Sequence, residues 1–360
     1  MTHDSLSLVS DRRRGSNADI GIFDQFAAGD AAPEWLAREA ARAWALPGDR
    51  TRLSLISVSE NANFRVDLDG APLAVLRLSR PGGFASRDGG DASLLAEVAW
   101  TAALREAAVA PIPAHLPPGD HEKVRTITQP GGARWSSVLT EFRPGRPLEE
   151  LSDPTIHFAE IGRIAARLHD HASGWVLPGT LTRPAWEVQD MVGPSARWGD
   201  WRAANLSQDA LSTLERAERA AIEVVHGARR HSDTWGLIHA DLRPSNLLFD
   251  GEELSVIDFD DAGYGWFLYD FAASLSFIEH LPDARRQASA WLAGYTETRP
   301  VDDVNLRFAC ALSMLRRLQM LGWTVTHRPD ALPPALRDRH GAGTALVAQR
   351  YLDDEQWLLR

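Results

Sequence analysis

Between Leu237 and Asp261 the chain gathers side chains whose types and spacing could do chemistry. Leu237-Ile238-His239-Ala240-Asp241-Leu242-Arg243-Pro244-Ser245-Asn246 leads into Leu247-Leu248-Phe249, and Leu254-Ser255-Val256-Ile257 leads into Asp258-Phe259-Asp260-Asp261. The two apolar runs read as short strands paired across Asp250-Gly251. Such a hairpin brings Asn246, just before its first strand, beside Asp258, just after its second. An amide oxygen next to a carboxylate suits a hard cation such as Mg²⁺, which takes few protein oxygens and leaves its other positions to phosphates and water. Asp241, with four residues between it and Asn246, then lies at the rim, where a carboxylate can take a proton from an incoming hydroxyl. A base beside metal ligands is the arrangement that phosphoryl transfer uses. Asp260 and Asp261 read equally as substrate or metal contacts and as a solvated acidic turn.

Elements must hold these groups. Residues 1–32 read as a loose polar segment, followed by a helix from Pro33 to about Leu46. Leu53 and Leu55, then Phe64, Val66 and Leu68, then Leu73–Leu78 alternate as strands, the third ending at Pro81-Gly82-Gly83. A helix over Ser93–Ala108 and two further strands, about 123–129 and 134–142, complete a β-rich part. Beyond Pro144-Gly145 the period turns helical. Helices follow Ser152-Asp153-Pro154 and Ser207, and one carries Phe308, Leu312 and Leu315. The expected fold is α+β with two lobes: 33–143, an antiparallel sheet with one main helix that binds nucleotide, and 144–360, a larger helical lobe that carries catalysis and substrate binding.

Composition narrows the classes. Of 360 residues, 44% are hydrophobic and 24% charged, so a wholly disordered chain is excluded. No run of about 18 apolar residues marks a membrane span, and Met1–Asn17 lacks an apolar signal core. The single cysteine, Cys310, gives neither an internal disulfide nor a cysteine zinc site. A net charge of −11 argues against nucleic acid as the main partner. These readings predict a soluble cytoplasmic protein without a membrane or nucleic-acid partner; they do not give its oligomeric state. Lys123 is the one lysine, and no Gly-Lys pair exists, which excludes a P-loop.

His239-x-Asp241-x₄-Asn246, Asp258-Phe-Asp-Asp261 and Tyr269-Asp270-Phe-Ala together resemble the aminoglycoside phosphotransferase and choline kinase-like superfamily, small-molecule relatives of protein kinases. The resemblance runs from about Leu53 to Trp323. Protein kinases carry Arg where this chain has Ala240 and Gly where it has Asp260, and no Ala-Pro-Glu segment is present. The resemblance implies an ATP- and Mg²⁺-dependent kinase acting on a hydroxyl of a small molecule: an aminoglycoside, choline-, homoserine- or sugar-like acceptor. It implies catalytic roles for Asp241 as base and for His239, Arg77 and Glu97. It makes Asn246 and Asp258 the metal ligands, and Asp270 the brace of the catalytic loop. Asp260 and Asp261 would meet the substrate. Ser59–Phe64, with Asn61, would form the loop over the phosphates, and Thr140–Gly145, through Glu141 and Arg143, the hinge at the adenine edge. Arg77 stands where the kinase lysine is expected, on the face of its strand shared with Leu73 and Val75; Glu97 would be its partner, and its planar group could grip Glu97 or a phosphate through two parallel N–H···O bonds. The alternatives are a Ser/Thr protein kinase of the same fold, a non-catalytic nucleotide-binding module, and a metal-dependent hydrolase using His239, Asp241 and Asp258. The Trp175–Trp201 stretch reads either as a cleft lining or as core.

Overall fold

The structure, a computed structural model, describes residues 22–23, 25–79, 90–116, 122–327 and 334–359. Residues 1–21 of the expected loose segment, and the Pro81-Gly82-Gly83 stop, lie outside these. The described chain is α+β, with a five-stranded antiparallel sheet ahead of a helical part.

The first compact unit takes the described residues up to Ala103, together with Ile112–Pro144 and Leu177–Arg183. Helix α1 (Glu34–Trp44) opens behind Pro33, and its Leu36, Ala40 and Trp44, four residues apart, are all buried. Strands β1 (Thr51–Val58), β2 (Asn61–Leu68) and β3 (Ala71–Ser79) follow as two hairpins. The second closes at Asp69-Gly70, where positive φ at both residues (53° and 83°) gives the tight turn that twisted strands prefer. Helix α2 (Asp91–Glu106) precedes β4 (Arg125–Thr128) and β5 (Arg134–Glu141), and the strand order is β1-β2-β3-β5-β4. Alternation along β3 turns Ala74, Leu76 and Leu78 into a core shared with Phe64, Trp135 and α1. The opposite face carries Arg77, paired in register with Val138, and Val138 packs on Leu94 and Val98 of α2. Burying each such apolar side chain contributes roughly 1.5–3 kcal/mol. The core also contains Phe23, which meets Phe64 and Trp135 edge-on, and Ala31 bridges Ser54. The loose character expected of residues 1–32 therefore does not extend to Phe23 or Ala31, because the open face of the sheet needs Phe23 to cover it.

The second unit takes Leu104–Pro111, Gly145–Val176 and the described chain from Pro184 onward. The chain thus does not divide at a single point. Residues 104–111 join the second unit because Val109 O accepts from Arg167 Nε (2.8 Å) and Pro111 O from Val256 N–H (2.8 Å).

Strand β6 (Arg146–Pro147) precedes the Asp153-capped turn that leads into α3 (Phe158–Gly174); a short α4 (Val188–Met191) and the long α5 (Gln208–Gly227), capped by Ser207, follow. Strand β7 (Trp235–Ile238) pairs with β10 (Gly263–Trp266), and β8 (Leu247–Phe249) with β9 (Leu254–Val256) and β6. Helices α6 (Tyr269–Ser274), α7 (Ala284–Tyr295), α8 (Asp303–Gly322) and α9 (Pro334–Asp353) complete the unit. Helices α3 and α7 touch through glycine. A Cβ on Gly162 would come within 1.9 Å of Trp291 O, and one on Gly294 within 1.8 Å of Ala159 O.

Candidate active site

In the first unit Arg77 and Glu97 form a buried pair, 8% and 4% exposed. The geometry differs from the expected fork. One nitrogen, Nη2 of Arg77, lies 2.7 Å from Oε1 and 2.8 Å from Oε2 of Glu97. A second guanidinium, unforeseen from sequence, shares this site. Arg183 Nη1 donates to Ser93 O (3.1 Å) and Ser93 Oγ (3.2 Å) and lies 3.9 Å from Glu97 Oε2. These contacts draw Leu177–Arg183 into the first unit.

The expected phosphate loop is shorter than Ser59–Phe64. Asn61 already begins β2, opposite Ser79, and Asn61 O accepts from Ser59 N–H (2.9 Å), which leaves Ser59-Glu60 as the turn. Side-chain alternation at Ala62 and Phe64 keeps those residues in the strand. At the end of β5, Glu141 N–H donates to Ala114 O (2.7 Å) and Glu141 Oε2 accepts from Ala114 N–H (3.2 Å), while Arg143 Nη1 lies 3.7 Å from Glu141 Oε1.

In the second unit a single buried carboxylate shapes the loop after β7. Asp270, fully buried in the first turn of α6, accepts from Ala240 N–H (2.7 Å) through Oδ1 and from His239 N–H (3.1 Å) through Oδ2. His169 Nε2 lies 3.0 Å from Oδ2, and its Nδ1 lies 2.9 Å from Tyr295 Oη. With this brace Ala240 is held at φ 65°, a left-handed conformation that alanine rarely adopts. The buried carboxylate offsets that cost by satisfying two N–H groups at once.

The brace turns Asp241 outward, into a nest of donors. Its Oδ2 accepts from Asn246 Nδ2 (2.8 Å) and Arg243 Nε (3.1 Å), and its Oδ1 from Arg316 Nη2 (2.5 Å). Burial pushes the Asp241 carboxyl up, but Arg243, Arg316 and His239 outweigh it, so it lies below the ordinary carboxylate value. Asp261 goes the other way. Burial, then the charges of Asp241 and Asp260, hold it well above that value. Asp260 is also buried. Two neighbouring carboxyl groups with opposite shifts are the pattern expected where one keeps its charge and another can hold a proton.

His239 belongs to the framework and not to the reacting groups expected from sequence. It is fully buried, its Nδ1 accepts from Asp241 N–H (3.3 Å), its Nε2 therefore donates to Ile257 O (3.0 Å), and burial lowers its pKa. A ring committed to two backbone groups has no nitrogen left for a substrate.

The two apolar runs pair as expected, with Leu247 opposite Val256 and Phe249 opposite Leu254. Its connection is four residues rather than Asp250-Gly251 alone: Asp250 Oδ1 accepts from Glu252 N–H and Glu253 N–H, both at 3.0 Å. Ile257 N–H donates to Asn246 O (3.0 Å), which sets Asn246 and Asp258 side by side in the chain path. Nδ2 of Asn246 also donates to Asp241 O (2.9 Å), so the amide is oriented with its nitrogen towards Asp241. Its Oδ1 receives a long contact from Ser245 Oγ at 3.5 Å. Asp258 is exposed at φ 62°. Among the described residues no three His, Cys, Asp or Glu side chains form a metal cage. An amide oxygen plus one carboxylate fits a hard cation that takes its remaining ligands from phosphate and water.

The phosphotransferase enzyme family profile matches residues 52–303, most of the chain and both of these residue sets. The chain belongs to the phosphotransferase enzyme family.

Among solved structures, the microcompartment-associated aminopropanol kinase is similar to this chain over 90% of this chain and 98% of its own, at 30% identity and TM-score 0.79. Amicoumacin kinase from Bacillus subtilis (strain 168) is 23% identical over 220 residues, 58% of this chain and 62% of its own. Homoserine kinase from Gluconobacter oxydans (strain 621H) is 31% identical over 174 residues, 46% of this chain and 52% of its own. The chain thus spans little more than half the length of these curated relatives.

The tryptophans ahead of the Asp241 loop are mostly core. Trp186, Trp198 and Trp201 are buried. Trp186 donates from Nε1 to Asp261 O (2.9 Å) and stacks on Tyr269 at 6.1 Å. Arg316 was missed because it lies 75 residues from Asp241. The one signal for it is the Arg316-Arg317 pair set between the apolar Met314-Leu315 and Leu318 of a long helix.

Proposed function

We propose that this phosphotransferase moves the γ-phosphate of ATP, with Mg²⁺, to the hydroxyl of a small cation-bearing alcohol of the aminopropanol class. The observation that carries the reading is Asp241, ionised by its three donors and projected by the Asp270 brace. Asn246 and Asp258 would hold the metal, which supplies charge neutralisation on the phosphates when bound.

The chain's own residues do the rest. Asp241 orients the acceptor hydroxyl and takes its proton as the O–P bond forms. A carboxylate with lowered pKa is a weak base, and that suffices, because a loose phosphoryl-transfer transition state asks for positioning more than for basicity. Arg77, held by Glu97, supplies positive charge for the phosphates. The acceptor class is supported by the aminopropanol kinase similarity.

The test is ADP release from ATP and Mg²⁺ with aminopropanol, homoserine, choline and aminoglycosides in parallel. Acceptor-dependent ADP release that is highest with aminopropanol supports the reading. Phosphate release without acceptor would favour the hydrolase alternative, and no metal-dependent ADP at all would favour a binding module.

A further inference from the structure

Arg316 is 1% exposed and uses all three nitrogens on three different partners. Nε donates to Ser276 Oγ (3.0 Å), Nη1 to Tyr269 Oη (3.0 Å) and Nη2 to Asp241 Oδ1 (2.5 Å). Two of those anchors are independent of Asp241. Tyr269 is itself fixed, donating to Gln319 Oε1 (2.5 Å), one turn along α8 from Arg316, and stacking on Trp186. The guanidinium is therefore a preset donor, and the Asp241 carboxylate takes its orientation from it.

A carboxylate offers about four acceptor directions, two on each oxygen. On Asp241 Oδ2, Asn246 Nδ2 and Arg243 Nε occupy both. On Oδ1, Arg316 occupies one. We infer that Arg316 is a positioning residue: it locks the plane of the Asp241 carboxylate and leaves a single acceptor direction, on Oδ1, for the hydroxyl of the phosphate acceptor. The inference rests on the reading of Asp241 as the group that takes the acceptor's proton. It adds which oxygen does so, and which residue of α8 sets its direction.

The consequence is a defect in turnover without one in nucleotide binding. A packing role for Arg316 would instead cost stability independently of Asp241. Kinetics of the full-length protein with ATP, Mg²⁺ and aminopropanol, or the best acceptor of the panel above, separate the two. Arg316→Met keeps length and apolar bulk but removes every donor. It should lower kcat on the order of 10–100-fold with KM for ATP within about threefold, since misplacement of a reacting group by an ångström has that effect. Arg316→Lys, with one donor able to reach Oδ1, should recover roughly severalfold of the loss. In an Asp241→Asn background the Met substitution should add less than about threefold, because residues acting as a unit are not additive.

Wild-type kcat in Arg316→Met, or the full loss repeated on top of Asp241→Asn, overturns the inference. Should Arg316→Met not fold, Ser276→Ala removes one anchor and leaves the charge in place; a fall in kcat of about 3–10-fold supports the inference and an unchanged kcat overturns it. Near-normal turnover in Asp241→Asn alone would instead remove the base assignment. An inactive Asp241→Asn beside a wild-type-like Arg316→Met removes only the role of Arg316.

Discussion

A single nitrogen of Arg77, Nη2, bridges both carboxylate oxygens of Glu97, at 2.7 and 2.8 Å. Arginine here acts on Glu97 as a point donor, which is how lysine would act, and not as a fork. The burial of both residues excludes a snorkelling edge arginine. Arg77→Ala should raise KM for ATP and lower kcat, together costing on the order of 10²-fold in kcat/KM. Arg77→Lys should stay within about tenfold of wild type, closer than a bidentate site would allow. Steady-state kinetics at varied ATP check this, and equal losses in the two variants would show that the planar group matters after all.

Asp241 is held by Asn246, Arg243 and Arg316. Asp241→Asn preserves shape, removes the base and leaves donors facing donors. Transfer should fall roughly 10²–10⁴-fold, while nucleotide binding measured by calorimetry persists. Loss of binding in step with loss of turnover would mean that the variant had disturbed the metal site through Asn246.

The metal assignment has its own readout. Asn246→Ala and Asp258→Ala should each weaken nucleotide binding in the presence of Mg²⁺ and change it little in its absence. Asn246→Ala should also lower turnover beyond the metal effect, because Nδ2 holds Asp241 at 2.8 Å. Titrations with and without Mg²⁺ decide. Metal dependence that survives both substitutions is incompatible with these ligands.

Helix contact through glycine gives a stability prediction. Gly162→Ala places a methyl where Trp291 O lies 1.9 Å away, and backbone cannot swing aside as a long side chain can. Urea unfolding should show a loss at the upper end of the overpacking range, about 3 kcal/mol. Gly174→Ala, in the same helix with nothing within 4 Å of the added atom, is the control.

What was legible in the sequence was local. Asp241, Asn246 and Asp258 could be placed together because a two-strand register fixes their neighbourhood, and β8 and β9 pair as the apolar runs require. The face of Arg77 followed from period-two alternation in β3. What escaped depends on contacts distant along the chain. Arg316 reaches Asp241 from 75 residues away, and Arg183 reaches Ser93 from 90. His239 looked catalytic by its place in the motif. Only the positions of Ile257 O and Asp241 N–H show that both of its ring nitrogens are used.

Buried histidines, His340 and His169 together with His239, set an acid limit on stability. His340 is fully buried against Phe277, and burial, then Arg317 and His280, hold its pKa well below the ordinary value. His169 is lowered by burial against the opposing pull of Asp270, with Arg299 and Asp170 as smaller influences. In the unfolded chain each titrates near the ordinary value of about 6.5. Below that pH the unfolded state binds more protons than the folded one, so stability is fully present above about 6.5 and is lost as pH falls towards the folded values. Asp261 opposes this, since a carboxyl pushed up in the fold favours the folded state on the acid side. His340→Gln, neutral at every pH, separates the contributions. Wild-type Tm should drop between pH 7.5 and 5.5, and the drop should shrink in the variant. An identical drop in both would show that His340 keeps its ordinary pKa in the folded chain.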